Sequence, residues 1–190
     1  MSLYMESCCV IDVAKYTLDR KESIDNLADK EEHIQYCIKL LEAAKKGQIR
    51  LHTANLTISE CQHLDGVFNE EIQRLFRAVL SSGRIFQIVT DSVFISERAQ
   101  DLRWNHNIFL SGADAHHIAT ALEAGCEEFI TSDNKILKYA DEIKKLGMRV
   151  IKANETRLLP KETSDDELAE LSDSETVQGD LFGDISDSVS

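Results

Sequence analysis

Four acidic residues are spaced so that a folded chain can bring their carboxylates together: Asp12, Glu60, Asp114 and Asp133. Gathered carboxylates repel one another strongly unless they are protonated or bound to a cation. Mg²⁺ and Mn²⁺ prefer such oxygen ligands, and Mg²⁺ keeps several of its own waters. A divalent cation held in this way can activate water and polarise a phosphodiester oxygen. The four acids therefore predict a metal-binding site that hydrolyses phosphodiester bonds.

Each acid taken alone is also explained as a helix cap. Glu60 closes the run Thr57-Ile-Ser-Glu60, which fits the capping box in which a Ser or Thr is followed three residues later by Glu. Asp114 has a similar spacing from Ser111, and acids are favoured at helix starts by the helix dipole. Asp12 and Asp133 each precede a predicted helix and can cap it. Only the shared placement of the four favours a common site.

The elements that would position these acids alternate between strands and helices. Short apolar runs predict strands at 8–11, 49–52, 85–89, 128–131 and 149–151. Helical spacing predicts helices near 34–41, 57–64, 72–79, 93–104, 115–122 and 136–143, and a glycine follows most of them. This alternation predicts a three-layer α/β/α domain with a mainly parallel sheet. The acids that follow strands then share its carboxyl edge, where open α/β sheets bind ligands.

Composition sets the class of protein. Hydrophobic residues make up 43% of the 190 residues, enough for a core, and no apolar run reaches the roughly 18–20 residues that cross a bilayer. The N-terminus lacks the features of a secretory signal. Five dispersed cysteines without C-x-x-C spacing predict buried free thiols in a reducing compartment. We therefore expect a cytoplasmic protein.

The acidic charge is concentrated after Pro160, the only proline. Residues 161–190 carry one Lys and ten Asp or Glu, a net charge of −9 out of −13. This composition predicts a folded domain at 1–155 and a flexible acidic tail at 156–190. The tail could shield a basic groove or hold a partner. Its run from Gln178 to Phe182 looks like the peptide that binds bacterial sliding clamps, although such short matches also arise by chance.

The chain resembles the PIN domain family in four pieces. These are Val10-Ile-Asp12, Ile58-Ser-Glu60, the run from Gly112 to Leu122 that contains Asp-Ala-His-His-Ile-Ala, and Phe129-Ile-Thr-Ser-Asp133. Together they cover most of residues 5–152, and the last two are the most specific. The resemblance implies a nuclease that depends on Mg²⁺ or Mn²⁺ and most often acts on RNA. Many small bacterial members look like VapC toxins, which implies an antitoxin partner and a homodimer.

The resemblance also implies roles for individual residues. Asp12, Asp114 and Asp133 would coordinate one or two metal ions, and Glu60 would be a further ligand or would position water. The hydroxyl of Thr131 or Ser132 would support the last acid. Three features depart from the family: Val13 stands where Thr or Ser often follows the first acid, the stretch 17–32 is long, and the acidic tail is extra.

Substrate contacts are less sharply indicated. The basic residues that could approach a phosphate backbone are Lys15, Arg98, Arg103 and Lys135, although exposed basic side chains on helices are commonly only solvated. Trp104 with His106 could stack a base. His116 and His117 lie beside Asp114, but the acid pattern requires neither for catalysis.

Three other functions remain open. A DNA-directed or structure-specific PIN nuclease would agree with the clamp-like peptide. A non-catalytic binding module would keep the fold without the activity, although the presence of all four acids counts against it. A phosphatase of the α/β type usually has a second Asp two residues after the first, whereas this chain has Asp12-Val-Ala14.

Overall fold

The computed structural model describes residues 2–18, 24, 27–64, 66 and 70–159. Five parallel strands form one sheet in the order β3-β2-β1-β4-β5. The strands are β1 (Ser2–Met5), β2 (Arg50–Ala54), β3 (Phe86–Val89), β4 (Glu128–Ile130) and β5 (Arg149–Ile151). The chain first builds the sheet on one side of β1 and then crosses to the other side. This reversal places a crevice at the carboxyl ends of β1 and β4, where open parallel sheets bind their ligands.

Helices cover both faces of this sheet. They are α1 (Ser7–Thr17), α2 (Leu27–Lys45), α3 (Asn55–Glu60), α4 (Glu70–Phe76), α5 (Val93–His106), α6 (Gly112–Glu123), α7 (Asn134–Leu137) and α8 (Ala140–Lys144). A π-helical turn (Arg77–Ser81) extends α4, and a 3-10 turn (Ala153–Glu155) follows β5. Within the described ranges, no helix is long and apolar enough to cross a membrane.

The alternating side chains of the strands divide the core into two parts. Leu3 and Met5 of β1 pack in one hydrophobic cluster, with residues of α1, α2 and α4. Tyr4 packs in the other, with residues of α5, α6, α7 and α8. Phe129 and Ile130 of β4 are divided between the clusters in the same way. Because neighbouring strand residues point to opposite faces, this division confirms the three-layer α/β/α architecture.

The predicted first strand at 8–11 is wrong. These residues lie inside α1, and the first strand is Ser2–Met5. A short apolar run does not distinguish a buried strand from a buried helix face, and here Cys9 and Val13 lie one helical turn apart on the buried side of α1. The acid that directly follows β1 is therefore Glu6. Asp12 lies in the middle of a helix.

The helix predicted over 136–143 is two short helices. Tyr139 separates them, since its backbone angles (φ −103°, ψ 15°) lie outside the helical range and it caps α8. The amide of Tyr139 donates to the carbonyl of Ile136, which closes α7 with a tight turn.

The cysteine prediction is confirmed in the described chain, where all five thiols are free and four are buried. Cys9 and Cys37 place their Sγ atoms 3.4 and 3.5 Å from Nε2 of His33. The amide of Ala153 donates to Nδ1 of His33 at 2.9 Å, so the proton of the neutral ring resides on Nε2 and faces the thiols. A metal on Nε2 would force a proton onto Nδ1, against the Ala153 N–H. Cys9, His33 and Cys37 therefore form a hydrogen-bonded cluster that links α1, α2 and the turn after β5.

Burial lowers the pKa of His33 from 6.5 to about 4. Because this pKa is lower in the folded than in the unfolded chain, the folded state binds fewer protons between pH 6.5 and 4, and its stability falls as the pH falls through that range. One pH unit corresponds to about 1.4 kcal/mol, so we expect His33 to cost about 2 kcal/mol between pH 7 and pH 5.

Urea unfolding at both pH values measures this effect as the difference between the wild type and His33→Asn. Asn keeps an oxygen that can accept from Ala153 but does not titrate, and every other ionisable group contributes equally to both proteins. The wild type should lose about 2 kcal/mol more than the variant on acidification. Identical pH dependence in the two proteins would show that His33 titrates normally.

Candidate active site

Glu6 lies at the crevice between β1 and β4. Its amide donates to the carbonyl of Ile130 at 3.1 Å, which continues the β1–β4 ladder by one residue. Its side chain is buried and accepts hydrogen bonds from the hydroxyl of Thr131 and from Sγ of Cys8, the latter at 3.1 Å. Burial raises the pKa of Glu6 to about 9. A buried carboxyl in this position remains ionised only where a cation compensates its charge.

Thr131 connects Glu6 to the predicted fourth acid. Its hydroxyl donates to Glu6 and accepts from the amide of Asp133 at 2.9 Å. Oδ1 of Asp133 in turn accepts from the amide of Lys135 at 2.7 Å, so the cap interpretation of Asp133 is confirmed. The hydroxyl oxygen of Ser132 lies 3.5 Å from Oδ2 of Asp12. Since the hydroxyl of Thr131 bridges Glu6 and the Asp133 amide, the ends of β1 and β4 present their acids together.

A chain of hydrogen bonds runs from β2 through β1 and α6 to Glu60. The amide of Ala54 donates to Oη of Tyr4 at 2.9 Å, and Oη lies 2.6 Å from Nδ1 of His117. Nε2 of His117 lies 2.8 Å from Oε2 of Glu60. Burial raises the pKa of Tyr4, so the phenol keeps its proton and donates it to Nδ1. The proton of His117 is therefore on Nε2 and is donated to Glu60.

We call Tyr4, His117 and Glu60 the relay. Tyr4 and His117 are almost completely buried, at 0% and 1% exposure, while Glu60 is half-buried at the crevice. Burial raises the pKa of Glu60, but hydrogen bonds from His117 and Ser7 outweigh this and leave it below its usual value. The relay thus holds Glu60 ionised in one orientation. His117 is a positioning residue that the sequence did not require.

The capping-box interpretation of Glu60 is wrong. Helix α3 begins at Asn55 with Ala54 as its N-cap, and Glu60 is the last residue of the helix. Thr57 is buried inside α3, and its hydroxyl lies 2.7 Å from that of Thr53. Glu60 therefore does not cap the start of α3, and the contact that holds its side chain is the one with His117.

Asp114 lies in the first turn of α6. Ser111 is the N-cap, and its hydroxyl accepts from the amide of Asp114 at 3.3 Å. Residues three apart on a helix lie on the same face, so Asp114 and His117 are neighbours. His117 contacts Tyr4 of β1 and Glu60 of α3, which places the first turns of α6 beside these elements. We therefore expect Asp114 to face the same region as Glu60.

Asp12 has a different environment from the other acids. It is buried in α1, and its Oδ2 lies 3.0 Å from Nζ of Lys30. The prediction that Asp12 follows the first strand is wrong, while its role as a metal ligand stays a prediction. Among the described residues, no Lys or Arg forms an ion pair with the remaining acids, which are Glu6, Glu60, Asp114 and Asp133. Asp12 thus already pairs with the ammonium group of Lys30, whereas no described Lys or Arg pairs with the other four acids.

This donor set fits a hard divalent cation. The carboxylates and the Thr131 hydroxyl supply oxygen ligands of the kind that Mg²⁺ and Mn²⁺ prefer, and no described amine competes for them. A signal for Glu6 was present in the sequence, since Ser7 follows it directly. The family often has Ser or Thr after the first acid, so the departure noted at Val13 disappears when Glu6 takes that place.

The predicted substrate residues are placed in different ways. Arg98 forms an ion pair with Asp101 at 3.4 Å, and Lys15 lies in the last turn of α1. Arg103 stacks on the ring of Phe109. Lys135 is exposed in the first turns after Asp133. His106 also pairs with Asp101, at 3.2 Å, while Trp104 is exposed, and their joint stacking of a base stays a prediction.

A family model for the PIN domain matches residues 18–142, about two thirds of the chain. The matched range contains Glu60, Asp114 and Asp133, whereas Glu6 and Asp12 precede it. Neither the curated proteins nor the solved structures gave a match. The assignment of Glu6 to the candidate site therefore depends on its geometry and on the Ser7 that follows it, and not on the family match.

Proposed function

The chain belongs to the PIN domain family of metal-dependent nucleases, and from this premise we propose that it is an endoribonuclease that uses Mg²⁺ or Mn²⁺. The observation that carries the proposal is the group of acids at the β1–β4 crevice. Glu6 is buried there and Glu60 is held by His117, yet no described Lys or Arg neutralises either one. Acids arranged in this way are suited to binding a cation, and RNA supplies a substrate whose phosphates a cation can polarise.

We assign the metal to Glu6, Glu60, Asp114 and Asp133, with Asp12 as the alternative first ligand. When bound, a divalent cation lowers the pKa of water and withdraws charge from a phosphodiester oxygen. Thr131 orients the carboxylate of Glu6, and His117 orients that of Glu60. Such partners fix the direction of ligand oxygens and are worth about 10- to 100-fold in metal affinity or activity.

The basic test is RNA cleavage with Mn²⁺ by the wild type and by Asp114→Asn. We expect the variant to be slower by about 10²- to 10³-fold, because the loss of one ligand removes several kcal/mol of charge stabilisation. Asp141→Asn is the matched control, since Asp141 is an exposed acid of α8 that is not among the proposed ligands. Cleavage that persists in EDTA would overturn the metal dependence, and equal rates for the two variants would overturn the assignment of the active site.

A DNA oligonucleotide of the same sequence separates the substrates. Comparable cleavage of DNA and RNA would remove the restriction to RNA and favour the DNA-directed alternative. Titration with Mn²⁺ by calorimetry separates the enzyme from a non-catalytic binding module, because the module would bind no cation.

A toxin role, an antitoxin partner and a homodimer remain predictions from the family resemblance. The clamp-like run from Gln178 to Phe182 and the acidic residues 160–190 lie outside the described residues. Growth arrest on expression, relieved by the Asp114→Asn change, would support a toxin. Light scattering of the purified chain measures whether it is a dimer.

A further inference from the structure

Large hydrophobic side chains are strongly exposed at one end of α5 and in the loop that follows it. Trp104 is 73% exposed and Phe109 is 55% exposed. Tyr139, which lies between α7 and α8, is half-buried beside Phe109 and donates from Oη to the carbonyl of Phe109 at 3.4 Å. Exposed aromatic side chains of this size often mark a binding surface.

Two cations accompany these rings. The guanidinium carbon of Arg103 lies 5.4 Å from the centroid of Phe109, and Nζ of Lys138 lies 4.7 Å from the centroid of Tyr139. Neither cation forms an ion pair with a carboxylate of the described residues. Both therefore keep their charge available for a ligand. We define the platform as the connected residues Arg103, Phe109, Lys138 and Tyr139; exposed Trp104 follows Arg103 in α5.

The platform is joined to the candidate active site by short connections. The loop 107–111 carries Phe109 and ends at Ser111, the N-cap of the helix that contains Asp114. On the other side, Tyr139 comes two residues after α7, whose N-cap is Asp133. The hydrogen bond from Tyr139 to the carbonyl of Phe109 links the segment between α7 and α8 to the loop 107–111. A chain of nucleotides that crosses the acids can thus continue onto the platform.

We propose that the platform binds unpaired bases of single-stranded RNA next to the scissile phosphate, an inference that rests on the proposed nuclease function. Unpaired bases stack on aromatic rings, and Arg and Lys compensate the phosphates between them. In a duplex the faces of the bases are stacked on neighbouring base pairs and are not accessible to aromatic side chains. The platform therefore selects single-stranded substrates.

Charge complementarity favours a polyanion over a protein as the occupant. The whole chain carries −13 and residues 1–160 carry −4, so a second copy of this acidic chain is repelled in general. Against that background, Arg103 and Lys138, which pair with no carboxylate of the described residues, form a local site for phosphates. A second copy remains an outcome that the test below can detect.

The test uses the full chain carrying Asp114→Asn in Mn²⁺, so that RNA is bound without being cut. Trp104 is the only tryptophan and follows Arg103 directly, so quenching of its fluorescence by a 12-nucleotide single-stranded RNA reports binding next to the platform. We expect the same RNA in a duplex to bind at least about tenfold more weakly. In the same background, Phe109→Ala and Arg103→Ala should each weaken single-strand binding about tenfold, as measured by anisotropy of a labelled RNA.

Phe94→Ala is the matched control. Phe94 is 69% exposed on the same helix but lies about 15 Å along the helix axis from Trp104. Its affinity should stay within about twofold of the background protein. Equal losses for Phe94→Ala and Phe109→Ala, or equal binding of duplex and single strand, would overturn the platform. So would a dimer in light scattering that Phe109→Ala converts to a monomer.

The failures of the two proposals are distinguishable. If the wild type cuts RNA with Mn²⁺ while Phe109→Ala binds and cuts normally, the platform is wrong and the nuclease assignment stands. If the platform variants lose binding but the wild type cuts no RNA, the binding surface stands and the nuclease assignment falls.

Discussion

Glu6→Gln is expected to lower kcat for RNA cleavage by about 10²- to 10³-fold, whereas Asp12→Asn lowers it by less than about tenfold. Glu6 is the acid at the end of β1, it is bridged by Thr131 to the Asp133 amide, and no described amine neutralises it. Asp12 is bound to Lys30 at 3.0 Å. A carboxylate that already pairs with an ammonium group contributes less to holding a cation.

Initial rates with saturating Mn²⁺ measure this difference, and calorimetry gives the metal affinity of each variant. Gln has nearly the same size as Glu, so the hydrogen bond from Thr131 can persist while the charge is lost. Urea unfolding confirms that both variants are folded, which matters because Asp12→Asn removes the partner of Lys30. If Asp12→Asn loses as much activity as Glu6→Gln or more, Asp12 is the first ligand after all.

His117→Leu is expected to lower Mn²⁺ affinity by about 10- to 100-fold. The change removes the donor that holds Glu60 and leaves its carboxylate free to rotate. Tyr4→Phe should have a smaller effect in the same direction, because His117 keeps its bond to Glu60 but loses the hydroxyl that fixes its tautomer. KM for RNA at saturating metal should change little, since neither side chain reaches the solvent.

A matched pair of variants separates positioning from simple packing. His117→Gln retains an amide that can donate to Glu60 and should recover part of the metal affinity lost in His117→Leu. His116→Ala, on the next residue of the same helix, removes a bond to exposed Asp91 and should stay within about threefold of the wild type. Equal metal affinity in His117→Leu and the wild type would show that Glu60 needs no such partner.

The helices and strands after residue 33 are largely readable from the sequence. Apolar spacing places α2 and α6, and Gly47 and Gly125 with positive φ mark where they end. β1 is not recognised from apolar spacing because its four residues are buried on both faces of the sheet and show no alternation of polar and apolar side chains. An apolar stripe in α1 then looks like the missing strand, so Asp12 instead of Glu6 is predicted to follow the first strand.

The candidate site is predictable where an acid follows a correctly assigned element. Asp133 and Asp114 are placed at helix starts on the carboxyl edge, as their sequence positions indicate. His117 is not, because its function depends on contacts with Tyr4 and Glu60, which are 113 and 57 residues away along the chain. Side-chain contacts across such separations leave no local pattern.

The order of strands also determines when during synthesis the candidate site can assemble. β1 pairs with β4, whose residues are made more than 120 positions later, and Asp133 follows β4 directly. Ribosomes add about 5–20 residues each second, so Glu6 is made several seconds before Thr131 and Asp133. A nascent chain therefore lacks the complete group of acids until β4 and Asp133 are made, and any truncation before β4 yields a fragment without it.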